Sequence, residues 1–334
     1  MNKWFLILII PVLIIGVFVL KSPKQTENKF FPIVTTPTPD QPNPLYLESL
    51  MVKTFPASDI KIEETLNPGV NYNRYIASYQ SDGFKIYGLF TVPNINKPEN
   101  GFPSIVFLHG YLDPKIYQTT ERYVAYQDGF ARNGFITFKS DLRGHGKSEG
   151  EPVNSHFSQD YVIDTLNLIS ALKIYKDANP KLIGMWGHSN GGGITMRSLV
   201  VSSEIKAAVI WAGVVGSYED MVVTYRNKIP WMNDRNFPND LINRYGEPNL
   251  KSSFWSKIDS YSYIQNISAP VQIHHGTADK SVPVELARHF NEVLKDAGKT
   301  VEFFEYPNGD HNLAGPHFSP AMERSVSFFK KYLQ

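Results

Sequence analysis

The sequence predicts an α/β domain in which a mainly parallel sheet is covered by helices on both faces. The first observation is an alternation of short apolar runs with segments of helical periodicity, which is typical of strands joined by right-handed crossover helices. The second is a serine between two glycines, directly after one apolar run and directly before a helical segment. Because reacting groups of such sheets gather at the carboxyl ends of the strands, these observations predict an active site at that edge.

The composition favours a folded domain and excludes several functions. The chain has 334 residues, of which 42% are hydrophobic, so it can bury a substantial core. The 33 Lys and Arg residues against 32 Asp and Glu leave a formal net charge of +1, which predicts no nucleic-acid partner. The absence of cysteine excludes disulfides, cysteine nucleophiles and thiolate zinc sites. We expect no cofactor and no metal ion, and the oligomeric state stays open.

The amino terminus predicts a membrane anchor followed by a tether. Residues 4–20 form an apolar run near the lower length limit for a membrane-spanning helix. We interpret residues 1–21 as an uncleaved transmembrane anchor; a cleaved signal peptide is the alternative, although no small-x-small cleavage pattern follows the run. Residues 22–44 are rich in Pro and Thr, which predicts an extended linker. We expect a single-pass membrane protein whose catalytic domain lies outside the cytoplasm.

Residues 45–334 form the predicted catalytic domain. A short helix and a strand of uncertain placement lie between residues 45 and 68, and residues 74–80 and 84–92 predict a β-hairpin around Ser81-Asp82-Gly83. Apolar runs predict the later strands at residues 104–108, 135–138, 183 to the serine motif, 207–211, 270–274 and 301–306. Helical patterns occupy residues 120–131, 161–175, 194–200, 284–296 and 320–333.

Residues 213–268 break this alternation and predict a cap over the site. The segment is too long for an ordinary connection. Its aromatic residues are Tyr218, Tyr225, Trp231, Phe237, Tyr245, Phe254, Trp255, Tyr261 and Tyr263. Such rings can line a substrate pocket, but for any single ring we favour a place in the cap's own core.

Ser189 is the predicted nucleophile. It lies in the pattern Gly187-His188-Ser189-Asn190-Gly191, between the apolar run and the helix. A sharp strand-to-helix turn presents a serine oxygen clear of the sheet, and glycines on both sides keep that turn uncrowded. The five-residue pattern alone is moderately specific, and a glycine-rich turn before a helix is the alternative; its place between a strand and a helix favours the catalytic interpretation.

A nucleophilic serine needs a base and a carboxylate that orients the base. Asp279 and His311 each follow a later predicted strand directly, so both are expected at the edge of the sheet that carries Ser189. Asp310 is the alternative acid, but as the neighbour of His311 in sequence it is poorly placed to reach the imidazole. His274 and His275 have no second cluster of ligands, so we interpret them as the end of a strand rather than a metal site.

The negative charge that develops on an attacked carbonyl requires two backbone N–H donors. The residue after the nucleophile, Asn190, supplies one in this geometry, and Tyr111, in the loop after the strand that ends at His109, is predicted to supply the other. His109 is expected to shape that loop. We expect Arg143, Gly144 and His145 to form a turn beside the pocket.

These residues together resemble the α/β-hydrolase superfamily, and more narrowly the catalytic domain of the prolyl oligopeptidase family of serine peptidases. The resemblance covers about residues 74–333. It depends on the hairpin at residues 81–88, the turn at residues 141–146, the serine motif and the segment from His275 to Pro283. The resemblance implies an acyl-enzyme mechanism. The family's usual His-Gly-Gly-Pro loop reads His-Gly-Tyr-Leu here, and no β-propeller is expected before residue 74.

The sequence therefore predicts a membrane-tethered serine hydrolase that acts on short peptides or aminoacyl amides. A carboxylesterase that acts on small acyl esters is the first alternative, because compact esterases share the superfamily. A binding module that has kept the fold without the chemistry is the second, and the intact serine, acid and histidine argue against it. We expect the activity to fall as the pH drops through the histidine range, since a protonated imidazole cannot accept the serine proton.

Overall fold

The computed structural model describes residues 43–233 and 239–334. The predicted anchor and all but the last two residues of the predicted linker lie outside these ranges. No helix within the described ranges is both long and apolar enough to cross a membrane.

The described residues contain one sheet of nine strands. The strands are β1 (Lys61–Leu66), β2 (Tyr72–Ser81), β3 (Phe84–Pro93), β4 (Phe102–Leu108), β5 (Ile136–Ser140), β6 (Ala178–His188), β7 (Ala207–Trp211), β8 (Val271–Gly276) and β9 (Val301–Tyr306). Their order across the sheet is β1-β2-β3-β5-β4-β6-β7-β8-β9. The pairs β1–β2, β2–β3 and β3–β5 are antiparallel and the others are parallel, which confirms the predicted mainly parallel sheet.

Eight α-helices connect or cover these strands in the described ranges. They are α1 (Leu47–Met51), α2 (Val124–Ala131), α3 (Asp160–Ile174), α4 (Asn190–Val201), α5 (Asn239–Tyr245), α6 (Trp255–Ile258), α7 (Val284–Asp296) and α8 (Phe318–Tyr332). The segment predicted as a cap contains α5, α6 and the short helical turns Asp220–Thr224, Arg226–Lys228, Pro230–Asn233 and Ser260–Asn266.

The sheet separates two hydrophobic cores, because successive side chains of a strand point to opposite faces. Val106 and Met185 belong to the core beneath α3, α4 and α7, whereas Phe107 and Trp186 belong to the core beneath α2 and α8. Alternate residues of β4 and β6 are therefore buried on both faces, which places these strands at the centre of the domain.

The predicted helix at residues 120–131 begins later than expected. Helix α2 starts at Val124, because Arg122 and Tyr123 have φ of 50° and 55° and lie outside the right-handed helical region. The buried Lys139 of β5 donates hydrogen bonds to the carbonyl oxygens of Glu121 and Arg122, at 2.8 and 3.2 Å. This tertiary contact stabilises a backbone that the local sequence does not favour.

Candidate active site

Ser189 occupies the sharp turn between β6 and α4. Its φ of 54° and ψ of −119° lie in a region that residues with a side chain seldom adopt. The Ser189 N–H donates to the carbonyl of Trp211 at 3.0 Å, and the Ser189 carbonyl accepts from the N–H groups of Gly192 and Val214, both at 2.9 Å. Bonds to α4 and to the chain around the end of β7 therefore stabilise the strained backbone of the serine.

The glycines on either side of Ser189 are required by close backbone contacts. A Cβ on Gly187 would lie 2.4 Å from the carbonyl oxygen of Gly191, and a Cβ on Gly191 would lie 2.2 Å from the carbonyl oxygen of Leu108. Real Cβ atoms do not approach oxygen so closely, so a side chain at either position would push α4 away from β4 or β6. The tight packing of backbone on backbone fixes the position of the turn.

Asp279 and His311 meet at the same edge of the sheet. Asp279 follows β8 and His311 follows β9, and the distance between His311 Nδ1 and Asp279 Oδ2 is 2.7 Å. The side chain of Asp279 is fully buried, whereas that of His311 is 20% exposed. The other carboxylate oxygen, Oδ1, accepts the N–H groups of Ser281 and Val282. Both carboxylate oxygens of Asp279 therefore have hydrogen-bond partners, and the buried carboxylate faces the partly exposed imidazole.

The environment of Asp279 keeps its carboxyl group ionised. Burial acts to raise the pKa of this carboxyl, but hydrogen bonds from His275 and His311, the charge of His311 and the N–H of Val282 outweigh it. The net effect holds the pKa of Asp279 well below its usual range. A carboxylate here can orient an imidazole and stabilise its protonated form.

Among the described residues, no hydrogen bond joins Ser189 Oγ to the ring of His311. Such contacts are often long without substrate and tighten in the complex. The imidazole is nevertheless close to the turn, since the ring centroids of His311 and His188 are 4.6 Å apart. The partly exposed His311 ring therefore lies near the serine turn without a hydrogen bond to Ser189 Oγ.

The two predicted oxyanion donors lie on either side of the serine. Asn190 is the first residue of α4, and Tyr111 follows β4 and is 76% exposed. A Cβ on Gly110 would lie 3.0 Å from Ser189 Cβ, so the loop that carries Tyr111 contacts the turn. Within the described ranges, the backbone N–H groups of Asn190 and Tyr111 form no hydrogen bonds to other residues. Both donors are thus available to an incoming oxygen.

Three residues that contact this site were not assigned a catalytic or supporting role from the sequence. His275 Nε2 lies 3.1 Å from Asp279 Oδ2 and 2.9 Å from the carbonyl oxygen of Val282. His188 and Tyr123 form hydrogen bonds with the loops that hold His311 and Gly110. His188 directly precedes Ser189, and His275 lies four residues before Asp279, so their nearness in sequence to predicted catalytic residues is a signal that could have found them. Tyr123 has no such signal.

Other polar residues at this edge shape loops. His109 is buried with Nδ1 2.7 Å from the carbonyl oxygen of Gly110, and burial, followed by repulsion from His145, lowers its pKa to about 3. Asp310 accepts the N–H groups of Asn312 and Ala314, at 3.2 and 2.8 Å, so its carboxylate is engaged within its own loop. No cluster of potential metal ligands occurs among the residues that the structure describes.

The aromatic residues of the cap form mainly a core of their own. Tyr218, Phe254 and Trp255 are buried together, and Tyr245 stacks on Phe254 with ring centroids 3.7 Å apart. This core also contains Val282 of the loop after β8 and Leu286 of α7. The cap is therefore packed against the element that carries Asp279. Phe237 lies outside the described residues.

A cavity of about 460 Å³ lies away from the predicted catalytic residues. It is found between β8, β9 and α8 and is lined by Gln272, Glu302, Phe304 and Arg324, among others. Its lining includes side chains of both positive and negative charge, and it does not include Ser189, Asp279 or His311.

The fold and the comparisons with known proteins together identify a serine hydrolase with the α/β-hydrolase fold. The prolyl oligopeptidase family matches residues 122–334. The chain belongs to that family, and the resemblance seen in the sequence is confirmed.

The chain is similar to peptidases and to an esterase. It is 24% identical over 261 residues to the uncharacterized peptidase YtmA of Bacillus subtilis (strain 168), which covers 78% of this chain and 92% of YtmA. The acylaminoacyl peptidase of Pyrococcus horikoshii has a TM-score of 0.63 and 24% identity over 79% of this chain, but only 42% of that chain is matched. An acetyl xylan esterase from Paenibacillus sp. R4 has a TM-score of 0.65 and 16% identity, with 86% and 92% covered. At these identities the structural likeness shows the fold alone.

Proposed function

We propose that this serine hydrolase uses Ser189 as nucleophile, His311 as general base and Asp279 as the acid that orients the base, and that it cleaves short peptides or aminoacyl amides. The 2.7 Å contact between His311 Nδ1 and Asp279 Oδ2, at the sheet edge that also holds the strained Ser189, carries the assignment. Membership of the prolyl oligopeptidase family supports the peptide class of substrate.

The reaction has two halves. His311 Nε2 accepts the proton of Ser189 as Oγ attacks the substrate carbonyl, and the negative oxygen is stabilised by the N–H groups of Asn190 and Tyr111. His311 then gives this proton to the leaving amine as the C–N bond breaks, which leaves an acyl-serine. A water molecule, deprotonated by His311, attacks the ester, and the proton returns to Ser189 as the acid product leaves.

Replacement of the serine tests the mechanism. We expect Ser189→Ala to lower kcat by at least about a thousandfold, because the nucleophile is removed. Ser198→Ala is a matched control: Ser198 lies on the same helix, is buried, and donates its hydroxyl to the carbonyl of Ile194. Its kcat should stay within about twofold of the wild type. Comparable activity of Ser189→Ala and the wild type would exclude the mechanism.

A carboxylesterase that acts on small acyl esters is the second candidate. The acetyl xylan esterase shares this fold over 92% of its own chain, so the fold by itself does not favour a peptidase over an esterase. Turnover of matched aminoacyl amides and aminoacyl esters separates the candidates. Cleavage of both classes supports the peptidase, whereas ester cleavage without any amide cleavage assigns the esterase.

The membrane tether is proposed on the apolar run at residues 4–20 and the Pro- and Thr-rich residues 22–44. Expression of the full chain followed by fractionation tests it. Recovery of activity in the membrane fraction after a high-salt and alkaline wash is expected. Recovery of the activity in the wash would contradict an anchored protein.

A further inference from the structure

Four groups form a continuous chain of hydrogen bonds behind Ser189. The N–H of Gly110 lies 2.9 Å from the hydroxyl oxygen of Tyr123, and this oxygen lies 2.7 Å from Nδ1 of His188. Nε2 of His188 lies 2.9 Å from the backbone carbonyl oxygen of His311. The chain therefore connects the loop of the proposed base with the loop of the second proposed oxyanion donor.

The groups at the two ends of this series of hydrogen bonds determine which atom donates in each bond. The Gly110 N–H can only donate and the His311 carbonyl can only accept. His188 must therefore carry its proton on Nε2, and its Nδ1 accepts the hydroxyl proton of Tyr123. Burial, followed by repulsion from His311, lowers the pKa of His188 to about 3, so the ring is neutral and has one proton to donate. Burial raises the pKa of the Tyr123 hydroxyl, which keeps it protonated.

The position of Tyr123 is fixed by its surroundings. Its ring packs against Phe107, Trp186 and His188, with centroids 5.9, 6.2 and 5.5 Å apart. Its backbone, with φ of 55°, is stabilised by the bonds of Lys139 to the two preceding carbonyl groups. A costly backbone conformation that tertiary contacts maintain is common at functional sites. Here it places a hydroxyl between two loops that meet at Ser189.

We propose that Tyr123 and His188 are positioning residues that hold the His311 loop and the Gly110–Tyr111 loop in register around Ser189. The inference depends on the proposed function, since it concerns the geometry of the base and of the oxyanion donor. The Gly110 N–H belongs to the peptide unit directly before that of Tyr111, so a rotation of the former turns the latter. Loss of the Tyr123 hydroxyl frees this peptide and leaves Nδ1 of the buried His188 without a donor.

The test compares two tyrosine hydroxyls that each accept a backbone N–H, of which only that of Tyr123 lies beside the proposed site and also donates to a histidine. Tyr123→Phe keeps the packed ring and removes the hydroxyl. Tyr161→Phe is the matched control. Tyr161 is buried, and its hydroxyl accepts the backbone N–H of Val153 at 3.0 Å. Burial raises the pKa of this hydroxyl as well. The control loses the same kind of bond, but Tyr161 contacts none of the proposed catalytic residues.

The readouts are kcat and KM for an ester substrate, the inhibition constant of phenylboronic acid and the Tm. Boronic acids form a tetrahedral adduct with a serine, so their affinity reports on the oxyanion donors. For Tyr123→Phe we expect kcat/KM and the affinity for phenylboronic acid to fall together by about tenfold or more, with KM within about twofold of the wild type. Tyr161→Phe should leave kcat and boronate affinity within about twofold of the wild type, and its Tm should fall no more than that of Tyr123→Phe, because it loses one hydrogen bond rather than two.

Two results would overturn the inference: kcat and boronate affinity of Tyr123→Phe within twofold of the wild type, or equal losses in both variants. A spectroscopic measurement adds an independent check. In Ser189→Ala labelled with ¹⁵N, His188 should show a protonated Nε2 and an unprotonated Nδ1, and the chemical shift of this Nδ1 should change when Tyr123→Phe is added. A protonated Nδ1 would contradict the proposed hydrogen-bond directions. If a fluorophosphonate fails to label Ser189 in the wild type, the proposed function fails as well, whereas a labelled and fully active Tyr123→Phe removes only the positioning role.

Discussion

His275 Nε2 lies 3.1 Å from Asp279 Oδ2, so the carboxylate that faces His311 also faces a second, fully buried imidazole. Nδ1 of His275 is buried and has no hydrogen-bond partner among the described residues, which places the ring proton on Nε2. That proton is shared between Asp279 and the carbonyl of Val282. His275 and His311 thus both contact the same carboxylate oxygen, Oδ2, of the proposed acid.

Replacement of His275 should reduce activity through the acid. We expect His275→Leu to lower kcat by about tenfold, since the loss of one hydrogen bond to a carboxylate is worth about 1.5 kcal/mol. His275→Gln, whose amide can still donate, should recover most of the loss. His274→Gln is the control, because His274 is equally buried but bonds to Tyr306 and Gln272. Steady-state kinetics that rank His275→Leu with His274→Gln would remove this role.

A methyl group at Gly191 should disrupt the serine turn. We expect Gly191→Ala to cost about 1–3 kcal/mol in unfolding free energy and to lower kcat, because its Cβ would meet the backbone oxygen of Leu108 at 2.2 Å. In Gly129→Ala the new Cβ meets the flexible end of Met322 at 2.6 Å, which can move. Urea unfolding of the two variants checks the difference. A wild-type kcat in Gly191→Ala would show that the turn tolerates the displacement.

The ion pair between Arg143 and Asp164 should be important for stability. Arg143 Nη2 lies 2.7 Å from Asp164 Oδ1, and their side chains are 7% and 0% exposed. We expect Asp164→Asn to lower the unfolding free energy by about 3–5 kcal/mol, because the guanidinium loses its buried partner. Asp160→Asn removes a 36%-exposed partner of the same arginine, 3.0 Å away, and should cost less than about 1 kcal/mol. Equal losses in a denaturation experiment would contradict this ranking.

The buried Asp259 should make stability depend on pH. Its carboxylate accepts the N–H groups of Tyr218 and Tyr261, at 2.7 and 2.9 Å, but burial, aided by the charge of Asp220, raises its pKa to about 7. Between about pH 4 and pH 7 the folded chain therefore holds a proton here that the unfolded chain has lost. The contribution of Asp259 to stability falls as the pH rises through this window.

The difference in unfolding free energy between the wild type and Asp259→Asn isolates this contribution. The difference in unfolding free energy, wild type minus variant, should become less favourable to the wild type from pH 4 to pH 7 and stay level above that. The other titrating groups are common to both proteins and cancel. A difference that is independent of pH across the window would contradict a raised pKa at this position.

The sequence was informative where a pattern is local. The predicted strands at residues 207–211 and 301–306 coincide with β7 and β9, and the predicted helix at residues 284–296 coincides with α7. These segments combine a clear apolar period with turn residues at both ends. The meeting of Asp279 and His311 was likewise predictable, because the carboxyl ends of neighbouring parallel strands lie together.

Contacts that depend on several distant segments were not predictable. Tyr123 contacts His188 and Gly110 from a backbone that lies outside the helical region, and Lys139, from a later strand, binds the two carbonyl groups before it. Nothing in the neighbouring sequence signals this. The second contact of Asp279, with His275, depends on how the loop after β8 folds back, so the pattern of a strand followed by an aspartate does not contain it.

The hydrogen bonds of Ser189 also set the stage of synthesis at which a new chain can become active. The hydrogen bonds of the serine turn can form only after Trp211 and Val214 have been synthesised, since these residues bind the N–H and the carbonyl of Ser189. Asp279 and His311 leave the ribosome later still, on the loops after β8 and β9. Because the ribosome delivers amino-terminal segments first, a chain that stops before β9 carries the proposed nucleophile without the proposed base. On the proposed mechanism such an unfinished copy is inactive, so the order of the strands delays activity until the domain is nearly complete.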